Sequence, residues 1–453
     1  MSVLDPTLDY TSKQLENSSY THMKIVRQSG VSTASTGEDI QFELPVQAIN
    51  LARSYMTIEY RCDAPGANNY NWIHEGIVPF QSLQLFTRGG QYICDIRDNC
   101  TDYSRVAMTY SATDTELEQG SSAPDATPLH CSNDLKSQIG HLTAVGSTAK
   151  RYWEQNYLFT PSTIINDVPT PTANTAIDGT ANKTYKLLIP LKSIKETIFA
   201  VDKSVLFGEI LVLKVKMAAS DDIGFRSVAS VNPNTGGALS LTNLTFSEVY
   251  LYVASERNAS VVEALNAQTN SQEGFSLLVP YPTVFRNQRD AATQQNITLR
   301  LNRSHGNSLK KVRTACFSNA ANKNLRYDYH NTSAGSKVSE YYTLLNNNRL
   351  SEYNVNVPAN LDWLEINKSC RGTPVYNVDI YRNNWIIENE FSNDADKMSD
   401  MKTTDSNIFS GISLDQEIRY DVYATTANAA HRWMSFVHGQ KVLNINSSGL
   451  VVA

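Results

Sequence analysis

Glu388 and Glu390 stand two apart just after "NNWII". On a strand they share a face, and paired carboxylates are what glycoside hydrolysis uses. Catalytic carboxylates usually come from separate elements, however, so the spacing argues first for a charged strand face. His431 and His438 are the closest histidine pair. A spacing of seven on one strand sends them to opposite faces, which argues against a shared metal. "NDADKMSD", 393 to 400, places Asp394 and Asp396 at the first calcium-loop spacing. Met398 then occupies the third ligand position, and the required glycine is missing. His74-Glu75 begins like a zinc-protease helix, but Val78 stands where the second histidine belongs. No phosphate-cradling glycine loop, dinucleotide turn or G-x-S-x-G elbow occurs. These residues define no catalytic, cofactor-binding or metal site, and the chain is expected not to be an enzyme.

Two further groups could bind rather than react. "SLKKVRTACF" carries Lys310, Lys311 and Arg313 beside apolar residues. In a chain of net charge −6, such a strand reads as a solvated or inter-subunit face rather than a nucleic-acid patch. Trp72, Trp153, Trp363, Trp385 and Trp433 could stack on sugars. They are spread over both halves of the chain, so packing or subunit contact is the simpler expectation.

The elements that must position these residues read as β. The chain has 453 residues, 41% hydrophobic and 19% charged, with 23 tyrosines. That length suits two or three domains, and the mixture favours strands joined by polar loops. "LQLFTRGGQYICDI", 83 to 96, reads as a hairpin turning at Gly89-Gly90. Counting outward pairs Thr87 with Tyr92, Leu85 with Cys94 and Leu83 with Ile96, leaving Phe86 and Ile93 on the other face. A hairpin apolar on both faces needs cover on both. Further strands are expected over 150–158, 185–191, 209–217 and 241–253, then over 275–281, 297–301, 309–317, 341–345, 375–381, 412–423 and 433–445. A short helix fits 360 to 370.

Between the halves lies "LTFSEVYLYVASERNASVVEALNA", 244 to 267. It starts as a strand with Phe246, Tyr250 and Tyr252 on one face and Val249, Leu251 and Val253 on the other. Ser260-Val261-Val262-Glu263 then has capping-box spacing, predicting a helix over Ser260 to Ala267. Residues 1 to 38 read as a polar N-terminal arm with a strand at Met23 to Arg27. The long polar stretches 111–149, 161–184, 218–238, 318–340 and 388–410 read as loops with a function of their own. No signal peptide or membrane-spanning run is expected, so Cys62, Cys94, Cys100, Cys131, Cys316 and Cys370 are expected as free or buried thiols. Sequons such as Asn99, Asn243 and Asn367 then reflect composition.

Each half holds about seven or eight strands without β-α alternation, and eight strands with long crossing connections make a jelly roll. Two such halves, the helical link and the C-terminal run "GISLDQEIRYDVYATTANAAHRWMSFVHGQKVLNINSSGLVV" resemble the double jelly-roll major capsid proteins of polinton-like and PRD1-adenovirus-type DNA viruses. The resemblance implies an all-β chain of two tandem eight-stranded antiparallel jelly rolls. It divides the chain into an arm (1–38), a first roll (39–255), a linker with a short helix (256–274) and a second roll (275–453). It implies a protein that assembles with itself, as pseudo-hexagonal homotrimers, into an icosahedral shell. Penton and minor or cement capsid proteins are the other implied partners, with no cofactor and no sequence-specific nucleic-acid contact. The place of action would be the virion, assembled inside the host cell. The rival readings are a carbohydrate-binding or carbohydrate-active β-sandwich, which needs a concentrated aromatic and acidic cleft, and a trimeric tail adhesin, which needs repeats or a stalk.

Overall fold

The computed structural model describes residues 19–62, 69–73, 78–111, 184–219, 224–228, 244–289, 292–318, 338–369, 385–391, 411–424 and 431–452. The first half contains β1 (Tyr20–Ile25), β2 (Asp39–Leu44), β3 (Ile49–Cys62), β4 (Phe80–Thr87), β5 (Tyr92–Ile96), β6 (Thr184–Pro190), β7 (Leu211–Met217) and β8 (Leu244–Glu256). They form two antiparallel sheets, in the orders β1-β8-β3-β6 and β2-β7-β4-β5. The second half contains β9 (Phe275–Arg289), β10 (Gln294–Arg300), β11 (Ser308–Ser318), β12 (Val338–Leu345), β13 (Asn348–Arg349), β14 (Ile386–Glu390), β15 (Glu417–Ala424) and β16 (His431–Asn446). Their sheets run β9-β16-β11-β14 and β10-β15-β12-β13. The two orders are the same when each half is counted from its own first strand. Both halves are therefore eight-stranded jelly rolls, which is the expected all-β fold class.

Local chemistry explains where the details depart from the sequence reading. The hairpin keeps Leu83 opposite Ile96 and Leu85 opposite Cys94, but Tyr92 pairs with Phe86 after a register shift. Only Gly90 has positive φ, at 85°. Its N–H donates to the Thr87 carbonyl at 2.8 Å, and the Thr87 N–H donates to the Gln91 carbonyl at 3.0 Å. That is a three-residue turn, Arg88 to Gly90, closed by a glycine bulge, rather than a two-residue Gly-Gly turn. The second face is covered within the same chain, because β9 runs beside β5.

In β8 the register against β3 shifts between Ser247 and Tyr250, where Glu248 takes φ 50°. The extra residue reverses the alternation. Phe246 thus joins Val249, Leu251 and Val253 in the core, while Tyr250 and Tyr252 stay half-buried outside. The linking helix, α2 (Ala259–Thr269), is capped two residues earlier than the motif suggested: the Asn258 side chain accepts from the Ser260 N–H. Glu263 is exposed. The helix expected over 360–370 is α3 (Leu361–Ser369).

Tyr20–Ile25 pairs along its whole length with β8, so the second part of the expected N-terminal arm lies at the edge of the first roll's larger sheet. The strands expected over 150–158 and 375–381 lie outside the described residues, as does most of the long loops at 111–149, 161–184, 318–340 and 388–410. Among the described residues no helix is long and apolar enough to cross a membrane.

Candidate functional site: a buried ionic junction between the rolls

The feature that joins the rolls begins with a helix. α1 (Cys100–Ser111) follows β5. Cys100, Tyr103, Val106, Ala107 and Tyr110 are buried along it. Their spacing is that of an apolar helical stripe, a signal present in the sequence that the β reading of the region passed over. α1 sits against the outer face of the β9-β16-β11-β14 sheet. The Tyr103 ring meets Phe436 of β16 edge-on at 5.8 Å, and its hydroxyl donates to the Lys195 carbonyl at 2.7 Å. Asp102 pairs with Arg432 at 3.2 Å.

Beside α1 lies the segment after β6, two 3-10 turns over Leu191–Ser193 and Ile198–Ala200. Between them Glu196 takes φ 59°, a left-handed conformation that costs a residue with a side chain roughly 1–3 kcal/mol. Its carboxylate is the hub of the junction. It contacts Lys311 Nζ, lies 2.9 Å from Arg313 Nη1 and 3.0 Å from His438 Nδ1, and accepts from Ser111 Oγ at 2.7 Å. Arg313 is shared: its Nε donates to Glu388 on β14, its Nη1 to Ser111 Oγ at 3.0 Å, and its Nη2 to the Tyr110 carbonyl at 3.4 Å.

Lys311 and Arg313 are each 1% exposed. The expected solvated face is therefore a buried one. Alternation explains why: Lys311, Arg313 and Ala315 share the β11 face that looks toward the first roll, while Val312 and Thr314 look into the second roll's core. Lys310 is the extra residue at the register shift between Leu309 and Lys311, and it is half-exposed. Glu388 and Glu390 do share a face, but Glu388 is bound to Arg313, which removes it as a free acid or base. His438 joins the junction while His431 begins β16, where it pairs with Arg289 and Ser318. Asp394, Asp396, Met398, His74 and Glu75 lie outside the described residues. Among the described residues no group of three or more histidine, cysteine or acidic side chains could hold a metal.

Trp385 and Trp433 do come together, with ring centroids 6.4 Å apart, but both are fully buried in the second roll. Their indole N–H groups donate to Asp362 at 2.9 Å and to Gln295 at 2.7 Å. They pack a core and offer no sugar platform. Trp363 is half-buried on α3. Cys94, Cys100 and Cys316 are buried free thiols, each pushed well up by burial.

Burial alone would raise the Glu196 carboxyl, yet Arg313, His438 and Lys311 together hold it well below the usual carboxylate range. His438 is driven down by burial; Glu196 pulls it back, and Arg313 and Lys311 push it further down. At neutral pH the imidazole is uncharged, leaving Lys311 and Arg313 balanced by Glu196 and Glu388. The sign for stability is the same for both depressed groups. An unfolded histidine takes a proton below about pH 6.5 that the folded junction resists, and an unfolded glutamate does so below about pH 4.3. Stability is therefore complete above about pH 7, starts to fall below about pH 6.5 as the unfolded state takes a proton that folded His438 resists, and falls further below about pH 4.3 for the same reason at Glu196. Thermal midpoints recorded from about pH 8 to about pH 2.5 should show this descent. His438→Gln should shallow its upper part and leave the lower part in place; an unchanged profile would remove His438 from the account.

The second roll's end is also fixed to the first. After β16, the strand Gly449–Val452 turns back along it. The Leu450 N–H donates to Glu209 Oε1 at 3.1 Å and the Val452 N–H to Gln91 Oε1 at 2.8 Å. Beside it, α2 buries Val261 and Leu265, and Thr269 Oγ1 donates to the Leu206 carbonyl at 3.4 Å. The rolls are thus held by a central ionic cluster, a linking helix and a C-terminal strand.

No protein-family model and no curated protein matches the chain. Solved structures do. The capsid of the virus PBCV-1 aligns over 96% of each chain at 10% identity, with a TM-score of 0.55. The PBCV-1 protein VP54, in a crystal structure fitted to a reconstruction of the virophage Sputnik, aligns over 96% of each at 13% identity and a TM-score of 0.54. The mavirus major capsid protein aligns over 100% of this chain and 95% of its own, at 9% identity and a TM-score of 0.50. End-to-end agreement of this kind fixes the architecture: the chain has the double jelly-roll fold found in these viral capsid structures.

Proposed function

We propose that this chain is a viral major capsid protein, a structural subunit without enzymatic activity that assembles with copies of itself into the virion shell. The observation that carries the reading is the repetition of one strand order in two rolls that a buried junction locks side by side. Three such chains around an axis present six similar rolls, a pseudo-hexagonal homotrimer that tiles an icosahedral shell. Closed cyclic symmetry is the usual way identical copies assemble. The neighbours in the capsids of PBCV-1 and mavirus support the same assignment, and penton and cement proteins are the further partners such a shell requires. Glu388 is spent on Arg313, and two of the tryptophans are buried in a core. The carbohydrate reading therefore gains no cleft from the described residues.

Native mass spectrometry of the purified chain at micromolar concentration, with negative-stain images of the same sample, tests the proposal. The expected species is a trimer of hexagonal outline. A stable monomer that forms neither trimers nor shells across pH and salt would overturn it.

A further inference from the structure

In a single chain only half of the equivalent faces of the two rolls meet. At the junction the outer face of β9-β16-β11-β14 receives α1, the helix between β5 and β6. By strand order, the second roll's counterpart of α1 is α3, between β13 and β14. The first roll's counterpart of the receiving sheet is β1-β8-β3-β6. Among the described residues no element covers either counterpart. α3 exposes Leu364 at 56%, and Tyr353, whose hydroxyl donates to Glu365 of that helix, is 46% exposed. On the sheet, Tyr55 and Tyr252 stack at 4.9 Å, with the His22 ring 5.1 Å from Tyr55. Lys24 Nζ lies 3.4 Å from the centre of the Tyr250 ring.

We propose that the aromatic face of the first roll receives the α3 face of a second copy of this chain, repeating between chains the contact that α1 makes within one. The inference rests on the reading of the chain as a self-assembling shell subunit. A second copy is the occupant because the chain already contains both halves of the contact and its intramolecular twin. Such a contact is head-to-tail, and head-to-tail contacts generate rings when the rotation closes. The chemistry of the two versions differs in a way that fits their histories. The intramolecular face carries Lys311 and Arg313, which require Glu196 at all times. The open face carries tyrosines, which tolerate water before docking and supply rigid apolar area after it.

Two single substitutions and one mixing experiment test this. Leu364→Asp and Tyr252→Asp each place a charge on one side of the contact, at exposed or half-exposed positions that leave the core intact. Each should raise the trimer dissociation constant roughly thirty-fold or more, the scale of losing a central interface anchor, with an unchanged circular dichroism spectrum and melting midpoint of the isolated chain. Chains carrying Leu364→Cys, mixed with chains carrying Tyr252→Cys and treated with a short bis-maleimide linker, should give crosslinked dimers of the mixed kind. Leu364→Cys alone should give no linkage beyond the wild-type background. A wild-type trimer that survives either aspartate, or that crosslinks through Leu364→Cys alone, overturns the docking surface while leaving the capsid assignment standing. A wild-type monomer overturns the assignment itself.

Discussion

Glu196→Ala should destabilise the protein by about 3–5 kcal/mol at pH 7.5, the cost of leaving buried charges without their counterion. The carboxylate answers two cations that are each 1% exposed. Arg313 retains Glu388, so the greater loss falls on Lys311 and on the contact between rolls. In guanidinium the variant should unfold at a lower midpoint, and the rolls should part in separate steps where the wild type moves as one. Replacing Glu196, Lys311, Arg313 and Glu388 together by apolar residues of similar volume should recover much of the loss, since well-packed hydrophobic substitutes for buried ion pairs are often neutral or better. If Glu196→Ala leaves the midpoint unchanged, the cluster does not hold the rolls together.

Gly274→Ala should cost about 3 kcal/mol, near the upper end of single-residue backbone effects. Gly274 ends the linker with φ 60°, and a Cβ there would lie 2.0 Å from the Ile445 carbonyl oxygen and 2.5 Å from Asn446 Cβ. Neither neighbour can yield, because Ile445 is held in the pairing of β16 with Phe275. Gly37→Ala separates the two contributions. Gly37 has φ 78° and nothing within 4 Å of the added carbon, so it should report left-handed strain alone, about 1 kcal/mol. Equal losses at the two sites, measured by chemical unfolding, would show that the close approach at Gly274 carries no weight.

How far the sequence disclosed this molecule depends on the range of the forces involved. The 83–96 hairpin was legible because its register is set by neighbours a few residues away, and two of its three expected pairs are present. The bulge at Glu248 was not, since one inserted residue leaves composition unchanged while reversing every side chain beyond it. α1 left a helical stripe from Cys100 to Tyr110 in plain view, but it was overshadowed by the strand rhythm around it. The junction was beyond reach for a different reason. Lys311 and Arg313 look solvated in any local window, and the carboxylate that permits their burial lies 117 residues from Arg313 along the chain. Only the packing of one roll on the other brings it near.

In the assembly proposed above, the helix that ties β8 to β9 would also set the order of the reaction. A ring of six free rolls would form from six bodies, and its yield would vary steeply with concentration. With α2 joining the rolls in pairs, every second contact in that ring would be intramolecular, made at the effective concentration of a short tether, in the millimolar range. The proposed ring would then form from three bodies, and its dependence on concentration would fall from sixth to third order. A newly made chain would reach the closed tile at far lower abundance, and each half-made ring would have fewer open faces on which a wrong partner can lodge.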